Sequence, residues 1–310
     1  MVIAGLLYLL GQRTLSGTDA APWVGIVLAV AYMPVPLVAA LIVERLDGRG
    51  YLLRRMFNPN LGKAVVRLVV VAVVVVAVLL LGMLAASWLA GNVLGVAGAG
   101  RVLFAPEDLV ANTIAFTGES MDATQVAALA AQTPGLWLLL LITFGSALLA
   151  GFTVNGVFAF GEEYGWRGWL AEELRPLGAF WANVVTGVLW GLWHAPLILL
   201  GYNYGSYRLP GVAFMVAWCV AASFLLWRAR EVTGTLLAPA VLHGAINGFA
   251  GVFLIVLVDT NTLMAAPMGL IGIAVVALAA ALLWLFTRSR RPADPAAVEA
   301  VETVAERAAA

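Results

Sequence analysis

The sequence predicts an all-α fold: a polytopic transmembrane helical bundle of about seven to eight spans with a cytoplasmic C-terminus. Three observations predict it. Of 310 residues, 63% are hydrophobic and only 11% charged, against about 25% charged in an average soluble domain. Apolar runs of roughly twenty residues, the length that crosses a bilayer core, recur along the chain. Basic residues gather between alternate runs, as they do in cytoplasmic loops.

The spans read in order as roughly 22–43, 64–90, 135–160, 178–201, 210–227, 234–257 and 264–286. Met1–Leu10 is apolar but short; it reads as a short or interfacial helix, or as the remnant of a further span. Pro34 and Pro36 should kink the first span, and Pro196 should bend the fourth just past His194. The third span is expected to continue as one helix to Leu174, where Pro176 breaks it.

Orientation follows from the basic residues. Arg45, Arg49, Arg54, Arg55, Lys63 and Arg67 lie between the first two spans. Arg167 and Arg175 follow the third, Arg228 and Arg230 the fifth, and Arg288, Arg290, Arg291 and Arg307 the last. Fourteen of the 17 basic residues thus fall on one side, leaving Arg13, Arg101 and Arg208 on the other. The arginine-rich side is assigned to the cytoplasm of the plasma (inner) membrane. The chain then divides into N-terminal membrane helices (1–134) with an outer loop at 91–134, core helices at 135–257, a last membrane helix at 258–287, and a solvated, disordered cytoplasmic tail at 288–310.

Composition also excludes classes. Seventeen basic and 17 acidic residues leave no bulk field to attract nucleic acid. Cys219 is the single cysteine, so neither an intrachain disulfide nor a cysteine metal cluster can form. No cleavable signal and no prenylation box are expected, and the absence of an internal repeat weighs against a transporter of inverted halves.

The informative residues are the polar ones inside the apolar runs, where an ionisable group is costly and by default marks function. Glu162 and Glu163 are helical neighbours, about 100° apart, and cannot share one partner. Glu163 and Arg167 stand at i and i+4, suited to an ion pair. Glu162 has Gly165 and Trp166 at those positions, so it is the free carboxylate and the candidate general base. The only histidines are His194, with Trp190 one turn earlier as an aromatic wall, and His243. His243 and Asn247 share a helical face, and both can donate to one oxyanion. Each feature alone also fits packing: a solvated helix end, a core histidine, or polar glue between helices. Gly187 with Gly191, and Gly244 with Gly248, mark close helix contacts.

A carboxylate, an imidazole and two oxyanion donors suffice to hydrolyse an amide with water. Glu162 and His194 would activate the water, while His243 and Asn247 would hold the oxyanion. The same residues allow an alternative: Glu162, His194 and His243 as ligands of a catalytic zinc. No His-Glu-x-x-His is present, so no metal is favoured, with zinc kept as the alternative. Ser223 and Cys219 sit on a span without the other groups and are not placed as nucleophiles.

Glu-Glu-x-x-x-Arg at 162–167, aromatic-x-x-x-His at 190–194 and His-x-x-x-Asn at 243–247 resemble the CPBP family. These are intramembrane proteases related to the type II CAAX prenyl endopeptidase and to bacteriocin-processing proteins. Trp190 departs from the Phe more common there. The resemblance implies a helical membrane endopeptidase in which Glu162 and His194 activate water, His243 and Asn247 form the oxyanion site, and Glu163 and Arg167 support them. It leaves both a glutamic and a zinc mechanism open; the glutamic one is favoured. The expected partners are the bilayer and a peptide or membrane-protein substrate, lipidated or not, reached from the cytoplasm. Two other functions fit the same residues: a non-catalytic membrane scaffold or immunity factor, and a proton-coupled transporter.

Overall fold

The computed structural model describes residues 2–9, 12, 14, 15, 21, 23–48 and 61–288. Arg13, Arg49, Arg54 and Arg55, and the tail from 289 with Arg290, Arg291 and Arg307, lie outside the described residues.

Helix α1 is Val2–Leu9. Helix α2, Trp23–Asp47, is interrupted by a π turn at Leu28–Tyr32 and restarts at Val35, so regular α bonding breaks beside Pro34 and Pro36. Helix α3 is Leu61–Ser87, extended by a π turn to Val93. The 91–134 segment then contains strand β1 (Ala99–Val102) and two short helices, α4 (Pro106–Thr117) and α5 (Ala123–Gln132). Asp122 and Gln125 close a reciprocal cap at the start of α5. Helices α6 (Leu136–Phe152), α7 (Val154–Glu163), α8 (Gly178–Ile198), α9 (Arg208–Thr233) and α10 (Leu237–Phe249) make the centre. A short α11 (Val252–Val256) leads into β2 (Leu257–Thr260), and α12 (Leu270–Thr287) follows.

Three details differ from the sequence reading. The third span is two helices, broken at Thr153, whose backbone leaves the helical region (φ −127, ψ −117). Gly151, Thr153, Asn155 and Gly156 are weak helix formers, and the Asn155 side chain bonds the Gly244 carbonyl at 3.2 Å instead of its own helix. Beyond Glu163 the chain does continue, as a π-helical stretch Tyr164–Leu170 and a turn Ala171–Glu173. The second difference is the count. Among the described residues five helices are long and apolar enough to cross a membrane, or six if α5 and α6, bent by 63°, form one span. Helix α8 has the length but carries Asn183, Thr186 and His194, which dilute its hydropathy. The third is an antiparallel pair in which Ala99 faces Thr260 and Val102 faces Leu257. Gly98 and Gly100, at positive φ, make that tight pairing accessible.

Helix α9 lies at the centre, packed against α3, α8, α10 and α12. The core interleaves Leu79 and Met83 of α3, Trp190 of α8, Leu225 and Leu226 of α9, and Leu242 and Phe249 of α10. Val66, Val70 and Val74 of α3 point outward, as a lipid-facing stripe would. Lipid tails are as apolar as these side chains, so helices associate through close packing at small residues. Gly187 and Gly191 let α8 meet the α9 backbone at Val220 and Val216; a Cβ on Gly191 would lie 2.5 Å from the Val216 Cα. Gly244 does the same for α10 against α7, where a Cβ would lie 2.6 Å from the Gly156 nitrogen. Gly165 seats the π-helical stretch on Pro36 of α2. These crossings bring α7, α8 and α10 around one point.

Candidate active site

The two glutamates leave the end of α7 in different directions, as neighbours on a helix must. Glu163 accepts from Arg167 Nη1 at 2.9 Å and meets His243 Nδ1 at 2.9 Å, both on its Oε1. Arg167 also donates through Nη2 to Ser223 Oγ at 3.0 Å, and its guanidinium lies 4.2 Å over the Trp190 ring. Glu163, Arg167 and Ser223 are fully buried. A charge there is tolerable only when paired and hydrogen-bonded, and this arrangement supplies both. The expected Glu163–Arg167 pair is thus present, and Ser223, set aside as lacking polar company, stands behind it. Glu163 Oε2 and Arg167 Nε have no hydrogen-bond partner among the described residues.

Glu162 turns the other way. Its Oε2 accepts from the indole Nε1–H of Trp190 at 2.8 Å. Trp190 also offers its backbone carbonyl to His194 Nδ1 at 2.9 Å. A carbonyl can only accept, so Nδ1 carries the proton and Nε2 keeps its lone pair. Pro196 frees the Leu192 carbonyl, but His194 does not use it. The Trp190 ring lies 5.3 Å from that of His243 and 6.0 Å from that of His194. Trp190 therefore touches Glu162, Arg167 and both imidazoles, well beyond the wall expected of it.

Glu162, His194, His243 and Asn247 all line one cavity of about 90 Å³. That is ample for water, which needs only ~10–15 Å³ of such space. Glu162 and His243 are buried, His194 half-buried and Asn247 exposed. The same cavity is lined by Tyr32, Trp193, Tyr202 and Asn203, none of which the sequence reading singled out. Tyr32 stacks on Trp193 with centroids 4.0 Å apart and donates its hydroxyl to the Trp193 carbonyl. The signal for Tyr32 was the break beside Pro34; Tyr202 and Asn203 sit in a connection that spacing could not locate. Glu44, also unforeseen, is buried and accepts from the Tyr164 hydroxyl at 2.9 and 3.1 Å, tying α2 to α7.

Zinc on Glu162, His194 and His243 was the alternative use of these residues. Among the described residues no group of three or more His, Cys, Asp and Glu side chains stands as a metal-holding set. One nitrogen of each imidazole is already committed, His243 to Glu163 and His194 to Trp190. Each imidazole keeps its Nε2 free, and a metal-bound histidine is likewise held through its other nitrogen by a carboxylate or a carbonyl.

Residues 132–249 match the family model described as Type II CAAX prenyl endopeptidase Rce1-like. That segment of the chain is similar to the CPBP family. The matched segment holds α6 to α10 and every residue of the motif set. The chain is also 26% identical over 134 residues to CAAX prenyl protease 2 of Methanococcus maripaludis, across 36% of this chain and 49% of that protein. It therefore spans about half the length of that curated relative.

Proposed function

We propose that the chain is an intramembrane endopeptidase, with water activated by Glu162 and His194 and the oxyanion held by His243 and Asn247. One observation carries the reading: all four side chains open onto a single cavity inside an otherwise apolar bundle. Trp190 occupies Oε2 of Glu162, which leaves Oε1 for a water. The free Nε2 of His194 accepts from the same water and orients it. Glu162 takes the water proton as the oxygen attacks the peptide carbonyl carbon, and the carbonyl electron pair moves onto its oxygen. His243, held at Nδ1 by Glu163, presents Nε2; when the ring carries its second proton, that N–H and the Asn247 amide donate to the oxyanion. Collapse breaks the C–N bond, and Glu162 returns its proton to the leaving nitrogen. The products are a carboxylate and an amine.

The substrate is a peptide or a membrane-protein segment, and the relative's name makes a prenylated protein the first to try. The site works as a glutamic protease in the plasma membrane. Purified protein and a matched substrate test this. Glu162→Gln and His194→Ala should each lower turnover by about 10²–10⁴-fold with the fold retained; undiminished cleavage by either removes the reading. Activity should survive a strong chelator, whereas loss restored by zinc replaces the glutamic mechanism with a metal one.

A further inference from the structure

A groove of about 770 Å³ lies where α8 and α12 flank α9. It shares no lining residue with the polar cavity. Its walls follow helical spacing. Ala277, Ala281, Trp284 and Arg288 line it from α12 and the residue that follows, and at spacings of four, three and four they share one face. Ala221, Phe224, Arg228 and Glu231 do the same from α9, at spacings of three, four and three. The groove therefore runs along the helices, ~16 Å at about 1.5 Å per residue from Ala277 to Arg288. Ala179 and Phe180, at the start of α8, close its third side near the arginines.

The lining changes character along that length. Alanines leave the deep part open and apolar. Phe180, Trp227 and Trp284 stand at the level between alanines and charges, and Trp284 is half exposed. Tryptophan is enriched where a bilayer meets its headgroups. The mouth holds Arg228, Arg288 and Glu231. Arg228 donates from Nε to Thr287 Oγ1 at 2.9 Å and from Nη1 to Glu231 at 2.7 Å, which fixes it beside Arg288. Its Nη2 has no partner among the described residues. The Arg288 guanidinium lies 5.9 Å over the Trp284 ring and has no carboxylate partner among the described residues. Two arginines against one glutamate leave a net positive charge at the mouth of an apolar slot.

We propose that this groove is a site for one anionic phospholipid, with its phosphate between Arg228 and Arg288 and an acyl chain laid along Ala221, Ala277 and Ala281. Charge complementarity selects the headgroup. The phosphate accepts from Arg228 Nη2 and from Arg288 while Glu231 keeps Arg228 in place, and the surplus positive charge favours a lipid with net negative charge over a zwitterion. The apolar length below the arginines selects a chain-bearing ligand over a free anion. The site stands apart from the peptidase reading and holds whether or not the cavity hydrolyses peptides.

Native mass spectrometry of the full chain in detergent tests this, with dioleoyl phosphatidylglycerol and dioleoyl phosphatidylcholine as the probes. One phosphatidylglycerol should be retained at least about fivefold more tightly than phosphatidylcholine, on the order of what one surface arginine contributes against an anionic lipid. Arg288→Gln should weaken phosphatidylglycerol about fivefold and leave phosphatidylcholine unchanged. Ala281→Phe fills the slot and should abolish retention of the bound lipid. Arg175→Gln is the control at the same end of the bundle: its side chain is 76% exposed, paired with Glu172, and outside the groove, so binding should stay within about twofold. Arg288, Ala281 and Arg175 are exposed, and an unchanged unfolding temperature confirms that each variant is folded. Equal retention of the two lipids overturns the proposal, because the groove then holds only bulk lipid. Retention of neither overturns it in favour of another occupant, such as a protein segment. Phosphatidylglycerol binding that survives both Arg288→Gln and Ala281→Phe overturns it by placing the lipid elsewhere.

Discussion

Trp190 is the residue through which the site holds its shape. A Phe there would keep the ring over Arg167 and the edge contacts to both histidines, but it has no N–H for Glu162. A hydrogen bond to a charged group is worth ~1.5–3 kcal/mol, so Trp190→Phe should lower kcat by about 10–100-fold with KM unchanged. Steady-state kinetics on the purified variant checks this, and an equal rise in KM would assign Trp190 to binding instead. Glu163 has a different weight. It alone neutralises Arg167 within hydrogen-bond reach among the described residues, and it also holds His243. Glu163→Gln leaves a buried guanidinium without its counter-charge and should cost about 3–5 kcal/mol, read as a lowered unfolding temperature in detergent. The motif spacing made Glu162, Glu163, Arg167, His194, His243 and Asn247 legible, because i and i+4 geometry is local. The indole bond to Glu162 was not legible: it joins residues 28 apart in sequence, and only the crossing of α7 and α8 brings them together.

At the scale of elements, glycines set the crossings that converge on the cavity. Gly244→Ala would push its methyl to 2.6 Å from the Gly156 backbone nitrogen, which cannot swing aside as a side chain can. Overpacking of this kind costs ~1–3 kcal/mol and moves α10 away from α7. The 2.9 Å link between His243 and Glu163 spans that gap, so activity should fall further than stability does. Gly145→Ala in α6 meets nothing within 4 Å and serves as the matched control. There alanine should be neutral or up to about 1 kcal/mol stabilising by helix propensity. Thermal unfolding and turnover measured on both variants separate packing from catalysis. The small-residue pairs that produce these contacts were readable as patterns. The break at Thr153 and the β1–β2 pairing were not. Helical periodicity runs smoothly across residues 150–156, and what decides against it is a tertiary bond from Asn155 to Gly244. Likewise the strands depend on a partner more than 150 residues away.

For the whole molecule, hydropathy foretold a helical membrane bundle, and the helices long and apolar enough to span it bear that out. Five or six helices meet that test among the described residues, against the seven to eight spans read from the sequence. Helix α8 shows why the rule loosens here: a helix enclosed by protein can carry Asn183, Thr186 and His194, since neighbouring helices shield them from lipid. Orientation depends on something no packing contact supplies, the asymmetry of Arg and Lys between the two ends. Arg228 and Arg230 at the end of α9 engage Glu231 and Glu172 there, a charged collar at one end of the bundle. Arg101 is paired with Asp259 at the other, which leaves that end with little net positive charge. A fluorescent protein inserted after Arg288 should therefore fluoresce in the cytoplasm, and alkaline phosphatase inserted at Gly118, between α4 and α5, should be active outside. The reverse pattern would invert the bundle. The cavity and its four polar side chains would stay as they are, because sidedness is set by the collar and chemistry by the crossing of α7, α8 and α10.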